Sequence, residues 1–267
     1  LKALYALGFE GTTYYQSKNG RLKDLAFEAS TKVNFSELSA IYGFGQETSL
    51  SHAMSVITQV ADILYPQLDA GPAPTIVPVG LDQDPHIRLT RDVAYKLRLF
   101  TVEDRGDHIS VRSKNAPEAA LDAVHNAFRG SKKYAGHVDV TGVEMAHVED
   151  AVRKIEIAHG GFGFYLPSST YHIFMQGLQG GKMSSSVPDS SFGFYEPEKS
   201  VKKKIMGALT GGRMTLEEQR RLGGEPDVCS VYLLNLFHML EDDVELADLA
   251  RRCESGELTC GQCKKET

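Results

Sequence analysis

Between residues 21 and 68 apolar positions return every three or four residues, and that period predicts helices. "RLKDLAFEASTKV" carries one. In "NFSELSAIYGFG" a second opens on Asn34 as N-cap, with Glu37 three residues later, and stops at Gly43 and Gly45. "SLSHAMSVITQVADILYPQL" carries a third, ended near Pro66. The period then changes. After the turn-rich "DAGPAP", the run "TIVPVGL" (75–81) is apolar at most positions, as a short parallel strand buried on both faces is. Pro85 starts the next helix, "HIRLTRDVAYKLRL", with Asp84 as its cap.

From about 99 to 160 the two periods mix. "LFTVEDRGDHISVRSK" alternates like a hairpin around Gly106. "APEAALDAVHNAF" and "MAHVEDAVRKIEIAHGG" are helical and "HVDVTGV" is a strand, so the stretch reads as a small α+β insertion. After 192 the chain is largely helical. "TLEEQRRLGG" holds a capping box, Thr215 and Glu218. "DVCSVYLLNLFHML" is apolar enough for a core helix, and "DDVELADLARRC" is amphipathic.

Composition narrows the class. At 267 residues, with 42% hydrophobic and 24% charged positions, the chain can bury a sizeable core. No apolar run approaches the roughly 20 residues of a membrane span. The opening "LKALYALGFE" has no initiator methionine and reads as the inside of a helix, so the natural N-terminus is expected upstream. A net charge of -6 excludes a polycation. Any nucleic-acid contact falls to local clusters: "KSVKKK" (199–204), Arg220 with Arg221, Arg251 with Arg252, and Lys264 with Lys265.

Three places carry candidate chemistry. The strand-turn-helix unit at 75–98 sets Asp82 and Gln83 at the carboxyl end of a strand, where open α/β sheets bind ligands. The loop "GLQGGKMSSSVPDSS" (177–191) joins flexible Gly180 and Gly181 to one cation, Lys182, and the hydroxyls of Ser184, Ser185 and Ser186. That set suits phosphate, but it lacks the Walker spacing, which excludes a P-loop. The plainer alternative is an exposed loop with an incidental lysine. The four cysteines, Cys229, Cys253, Cys260 and Cys263, all fall near the C-terminus. Reduced thiols can hold zinc, hold a 4Fe-4S cluster, or stay free. The histidines show no metal-like spacing.

Four segments share a resemblance. "KMSSS" resembles the KMSKS signature of class I aminoacyl-tRNA synthetases, with serine for its second lysine. In the same order, "QVADIL" (59–64) is similar to the helix facing the amino-acid side chain in tryptophanyl- and tyrosyl-tRNA synthetases, "VGLDQDPHIRLTRDVA" (79–94) to the G-x-D-Q segment of tryptophanyl-tRNA synthetases, and "GGEPDVCSVYLLNLFHMLEDD" to their C-terminal helical region, especially in archaeal members. The resemblance implies an α/β fold: the C-terminal part of a Rossmann-like catalytic domain over 1–191 (with the insertion at about 99–160), then an all-helical anticodon-binding domain over 192–267. It implies a cytoplasmic, homodimeric tryptophan-tRNA ligase that activates L-tryptophan with ATP and Mg and charges tRNA(Trp).

Carried over by position, Lys182 and Ser184 are catalytic. Gly80, Asp82, Lys182, Met183, Ser184 and Ser185 bind ATP. Gln59, Asp62 and Gln83 bind tryptophan, with Asp62 supplying the acceptor that the indole N–H needs. Some members carry a 4Fe-4S cluster at similar cysteine spacing, the first gap here being one residue longer. The expectation is therefore a cluster on Cys229, Cys253, Cys260 and Cys263, zinc second, pinning the helical domain so that Lys264 and Lys265 face the anticodon. The family's HIGH motif is absent, since "LSHAMS" (50–55) does not match it. The chain is thus expected to be an N-terminally incomplete piece, inactive alone, its lysine loop mobile for want of a partner. A tyrosyl-type synthetase and a non-catalytic RNA-binding paralogue are the alternatives.

Overall fold

The computed structural model describes residues 2–184 and 186–267. They form two compact units, one spanning Gly11–His172 and the other Ile173–Thr267 with the segment that ends at Glu10. In the first unit three helices pack on one core. Leu22, Leu25, Ala26 and Ala29 of helix Gly20–Ser30 meet Val56, Ile57, Val60, Ala61 and Leu64 of helix Leu50–Asp69 and Leu89, Val93 and Ala94 of helix Asp84–Lys96. Each set follows the helical period, so one face is buried, and each leucine contributes about 1.5–3 kcal/mol. The predicted capping box of Asn34 and Glu37 is formed at helix Phe35–Tyr42.

Helix Leu50–Asp69 does not end at Pro66. Its last turn runs on to Asp69, because buried Gln67 ties that turn to the chain beyond the insertion. Its side-chain N–H donates to Tyr165 O (3.0 Å), and Tyr165 N–H donates to its Oε1 (2.8 Å). The backbone bond lost at proline is offset by two side-chain bonds.

Strand Ile76–Gly80 pairs in parallel with Ser168–His172, Gly80 standing opposite His172. The expected burial on both faces is not seen. Among the described residues the sheet has two strands, and Ile76 is 68% exposed. Asp84 does not cap the following helix either. It lies inside the first turn, where Arg88 approaches to 2.6 Å and the Tyr171 hydroxyl donates to it. That hydroxyl first, with Arg88 behind it, holds the Asp84 carboxyl below its usual range.

The insertion builds its own core. Strands Phe100–Asp104 and Ile109–Ser113 form the expected hairpin. His137–Val140 and the short Lys132–Lys133 complete an antiparallel sheet, covered by helices Glu118–Ala127 and Met145–Ala158. Buried Glu156 accepts from Phe100 N–H (2.8 Å), with burial raising its carboxyl above the ordinary value and Arg98 and Arg153 opposing the rise.

The second unit is helical: Lys2–Ala6, Glu198–Gly207, Leu216–Leu222, Ser230–Leu234, Asp243–Glu254 and Cys260–Glu266. The capping box of Thr215 and Glu218 is present. The predicted core helix is only half α. It passes into a π-turn over Asn235–Met239, with Asn235 Nδ2 donating to Val231 O (3.0 Å) and Thr267 Oγ1 (2.8 Å). No described helix is long and apolar enough to cross a membrane.

Replacing Gln67 by Ala strands both Tyr165 backbone groups and is expected to cost about 2 kcal/mol. Urea unfolding should show a lower midpoint with an unchanged slope.

Candidate functional site

The buried stripe of helix Leu50–Asp69 leaves Gln59 and Asp62 on its other side, one turn apart and half-buried. Gln59 Nε2 donates to Gln83 Oε1 (3.1 Å), and Gln83 Nε2 donates to Asp82 Oδ2 (3.1 Å). Gln83 and Asp82 sit in a 3-10 turn that leaves the strand at Gly80, whose backbone is extended. The unit therefore brings Gln59, Gln83 and Asp82 into one hydrogen-bonded chain beside Gly80, with Asp62 on the same helical face.

Asp62 has two donors that sequence reasoning missed. Tyr14 O–H donates to its Oδ1 (3.1 Å), and Gln16 Nε2 donates to its Oδ2. Burial first and the Asp62 charge second push the Tyr14 phenol up to about 12, so it stays a donor at neutral pH. Tyr65 packs edge-on against Tyr14 at 5.1 Å. A carboxylate offers about four acceptor positions, so Asp62 keeps room for a further donor. Close by, Tyr42 bonds His86 Nδ1 (2.8 Å), and burial lowers the His86 pKa.

In the other unit two glycines and a buried serine shape the lysine loop. Gly180 and Gly181 have φ of 78° and 67°, which side chains resist, and they turn the chain so that Gly177 N–H meets Gly181 O (2.8 Å). Buried Ser190 organises the turn after Met183. Its hydroxyl accepts from Ser184 N–H (3.1 Å) and lies against the Ser184 and Val187 carbonyls. Ser184 Oγ is already bonded to Ser186 Oγ (2.7 Å). Two of the three hydroxyls named as phosphate donors thus bond each other as placed, and Ser185 lies outside the described residues. Lys182 is exposed, and no hydrogen bond or ion pair to it occurs among the described residues. Met183 lines an apolar pocket of about 430 Å³ with Leu178, Phe192 and Leu234.

The four cysteines are brought together. Cys229, Cys253, Cys260 and Cys263 line one narrow pocket of about 20 Å³, room for about one water. Burial first, then the neighbouring thiols, push Cys263 up to about 11 and raise Cys253 as well. As placed, they do not make the expected metal centre. Among the described residues no three or more His, Cys, Asp or Glu side chains are arranged to hold a metal ion.

The surroundings nevertheless fit a thiolate-held group. All four donors are sulfur, and backbone lies close to two of them. A Cβ on Gly212 would stand 2.4 Å from Cys260 Sγ, and one on Gly224 2.7 Å from Cys253 Sγ. Lys264 is engaged within its own unit. It donates to Met206 O (2.9 Å) and Ala208 O (2.7 Å) at the end of helix Glu198–Gly207, where a cation suits the helix dipole. Other basic clusters are partly neutralised, Lys204 by Glu196 and Arg251 by Asp248 and Glu257.

The profile of the family described as "tRNA synthetases class I (W and Y)" matches residues 6–115 and 144–267, leaving out part of the insertion. The tryptophan–tRNA ligase of Methanosarcina acetivorans is 51% identical over 98% of this chain and 63% of its own length. That of Archaeoglobus fulgidus is 50% identical over 99% of this chain and 64% of its own. The crystal structure of tryptophanyl-tRNA synthetase from Aeropyrum pernix matches with a TM-score of 0.71 and 35% identity, over 98% of this chain and 56% of that one. The chain thus spans less than two thirds of the length of these relatives. With the motif residues in order and the profile covering most of the sequence, the chain belongs to the class I tRNA synthetases of the W and Y family.

Proposed function

We propose that the protein containing this chain is a tryptophan-tRNA ligase, which activates L-tryptophan with ATP and Mg and transfers it to tRNA(Trp). The carrying observation is an exposed lysine on a glycine-turned loop, in a chain half identical to archaeal ligases of that name. In this reading 1–191 is the C-terminal part of a Rossmann-like catalytic domain and 192–267 a helical anticodon-binding domain. The enzyme is a cytoplasmic homodimer.

Asp62 accepts the indole N–H. Tyr14 and Gln16 hold the carboxylate still, so little reorganisation accompanies binding. Gln59 and Gln83 take the α-amino group, their mutual bond fixing both side chains beforehand. Gly80 and Asp82 serve the ribose, and Met183, Ser184 and Ser185 line the nucleotide. Lys182 follows the charge that grows on the leaving pyrophosphate. Such stabilisation acts on the transition state more than on the bound ground state.

The four cysteines are read as ligands of a 4Fe-4S cluster, zinc being second. Donor chemistry and the glycine cradle support the reading. When bound, the group would add metal–thiolate bonds that stabilise the C-terminal fold.

Tryptophan-dependent ATP–pyrophosphate exchange by the full-length gene product is expected; exchange with tyrosine alone would overturn the substrate. In that assay Lys182→Ala should slow activation about 10²–10³-fold while leaving tryptophan affinity nearly unchanged. An equal loss in both contradicts its role.

Asp62→Ala removes a charged acceptor and should weaken tryptophan binding about 10–100-fold, read by equilibrium titration.

The raised Cys253 and Cys263 thiols must lose protons to bind metal. Apparent affinity for cobalt, followed by its thiolate absorption, should therefore climb with pH through the neutral range. The slope is about tenfold per pH unit for each proton displaced, and a flat profile refutes thiolate ligation.

A further inference from the structure

Gln219 is 4% exposed, and its Nε2 has no hydrogen-bond partner. A buried amide N–H₂ left unbonded is costly, so such a group in a folded protein calls for an explanation. Its orientation is settled by its neighbour. The Arg213 backbone N–H donates to the other end of the amide (2.9 Å), so that end must be the oxygen and the free end the nitrogen.

That nitrogen lies near the Cys253 sulfur, just outside the residues that line the cysteine pocket. A Cβ on Gly224 would stand 3.0 Å from Gln219 Nε2 and 2.7 Å from Cys253 Sγ, so the donor and the sulfur border the same small space. A Cβ on Gly212 would stand 3.2 Å from Gln219 Oε1 and 2.4 Å from Cys260 Sγ. The amide therefore runs alongside two of the four sulfurs. A thiol is a weak acceptor, whereas a thiolate bound to metal is a strong one.

We infer that Gln219 is a positioning residue for the cysteine site: its Nε2–H donates to the Cys253 sulfur once that sulfur is held as a metal-bound thiolate. This rests on the reading of the four cysteines as ligands. The donor is buried in advance, fixed by Arg213, and gains its partner only when the group is bound. It spreads thiolate charge and favours the loaded state. With an iron–sulfur group it also raises the reduction potential, because a donor to sulfur stabilises the more negative, reduced form.

The test uses the full chain reconstituted anaerobically with iron and sulfide, as wild type, Gln219→Met and Gln219→Glu. Both variants remove the donor. The first is neutral and similar in volume; the second keeps the oxygen that accepts from Arg213 N–H. Both are expected to lose the cluster's visible absorption to a chelator about tenfold faster than wild type. Both should also show a more negative potential, while the melting of the iron-free Glu variant, which keeps the acceptor for Arg213 N–H, stays unchanged. Wild-type values in the Met variant, or a shift confined to the Glu variant, overturn the role of Gln219 and leave the cysteine ligands standing. A variant that melts earlier without iron yet keeps the wild-type potential marks a purely structural glutamine and overturns it too. A wild type that takes up neither iron with sulfide nor cobalt overturns both readings.

Discussion

The first unit depends on a helix that can bury only one side. Val56, Ile57, Val60, Ala61 and Leu64 fill about half the circumference of Leu50–Asp69, and packing against Leu22, Leu25 and Val93 fixes the rotation of the whole rod. At about 100° per residue, Gln59 and Asp62 then have nowhere to point but away from that core. Gln67 locks the far end, so the helix can neither turn nor fray there. The strand end at Gly80 brings Gln83 to the same side, and the bond between the two glutamines closes the arrangement. A recognition surface thus follows from burial on the opposite face.

The second unit depends on backbone meeting backbone. A Cβ on Gly223 would fall 1.7 Å from Glu254 O, and one on Gly211 1.9 Å from Glu225 O. No side chain is tolerated at either place. Gly224 N–H reaches Cys253 O (2.9 Å) and Glu225 N–H reaches Gly211 O (2.8 Å) across those contacts. Cys253, far in sequence from Cys229, is thereby drawn to the turn beside it, and Cys260 and Cys263 follow on the first turn of the next helix. The lysine loop also turns on glycines of positive φ, as Gly223 does, and Ser190 then holds the turn that follows while Ser184 and Ser186 bond each other.

Much of this was legible in the sequence, and the misses share a cause. Helical spacing, the capping boxes at Asn34 and Thr215, the hairpin and the insertion's alternation are local signals, and each reappears. Asp84 looked like a cap because capping is local, but a tertiary partner, Tyr171, claimed its carboxylate. Pro66 looked like a stop because the rule counts backbone bonds and cannot see Gln67 reaching Tyr165. Ile76 looked buried because parallel strands are, and a pattern cannot say what lies against it. Tyr14 and Gln16 were invisible as partners of Asp62 because 46 and more positions separate them. Gln219 sat unnoticed inside a capped helix, since an orphaned donor exists only in three dimensions.

The distribution of free and committed charge carries the last step. Lys264, Lys204, Arg251 and Arg252 each hold a carbonyl or carboxylate of their own unit, so these cations serve the fold. Lys182 holds none among the described residues. Surface ion pairs contribute little to stability, so leaving one lysine unpaired costs the fold almost nothing. It leaves a compact charge on a stem anchored by Ser190 and turned by two glycines. A lysine already paired would have to break that pair before meeting a phosphate, and its attraction would be reduced by that amount. An unpaired one gives its full attraction to whatever negative charge develops nearby. Exposed Lys199, Lys203 and Lys265 are also without a partner among the described residues, so what distinguishes Lys182 is the backbone beneath it: a loop turned by Gly180 and Gly181 and held at Ser190, which carries the unpaired charge on a shaped support.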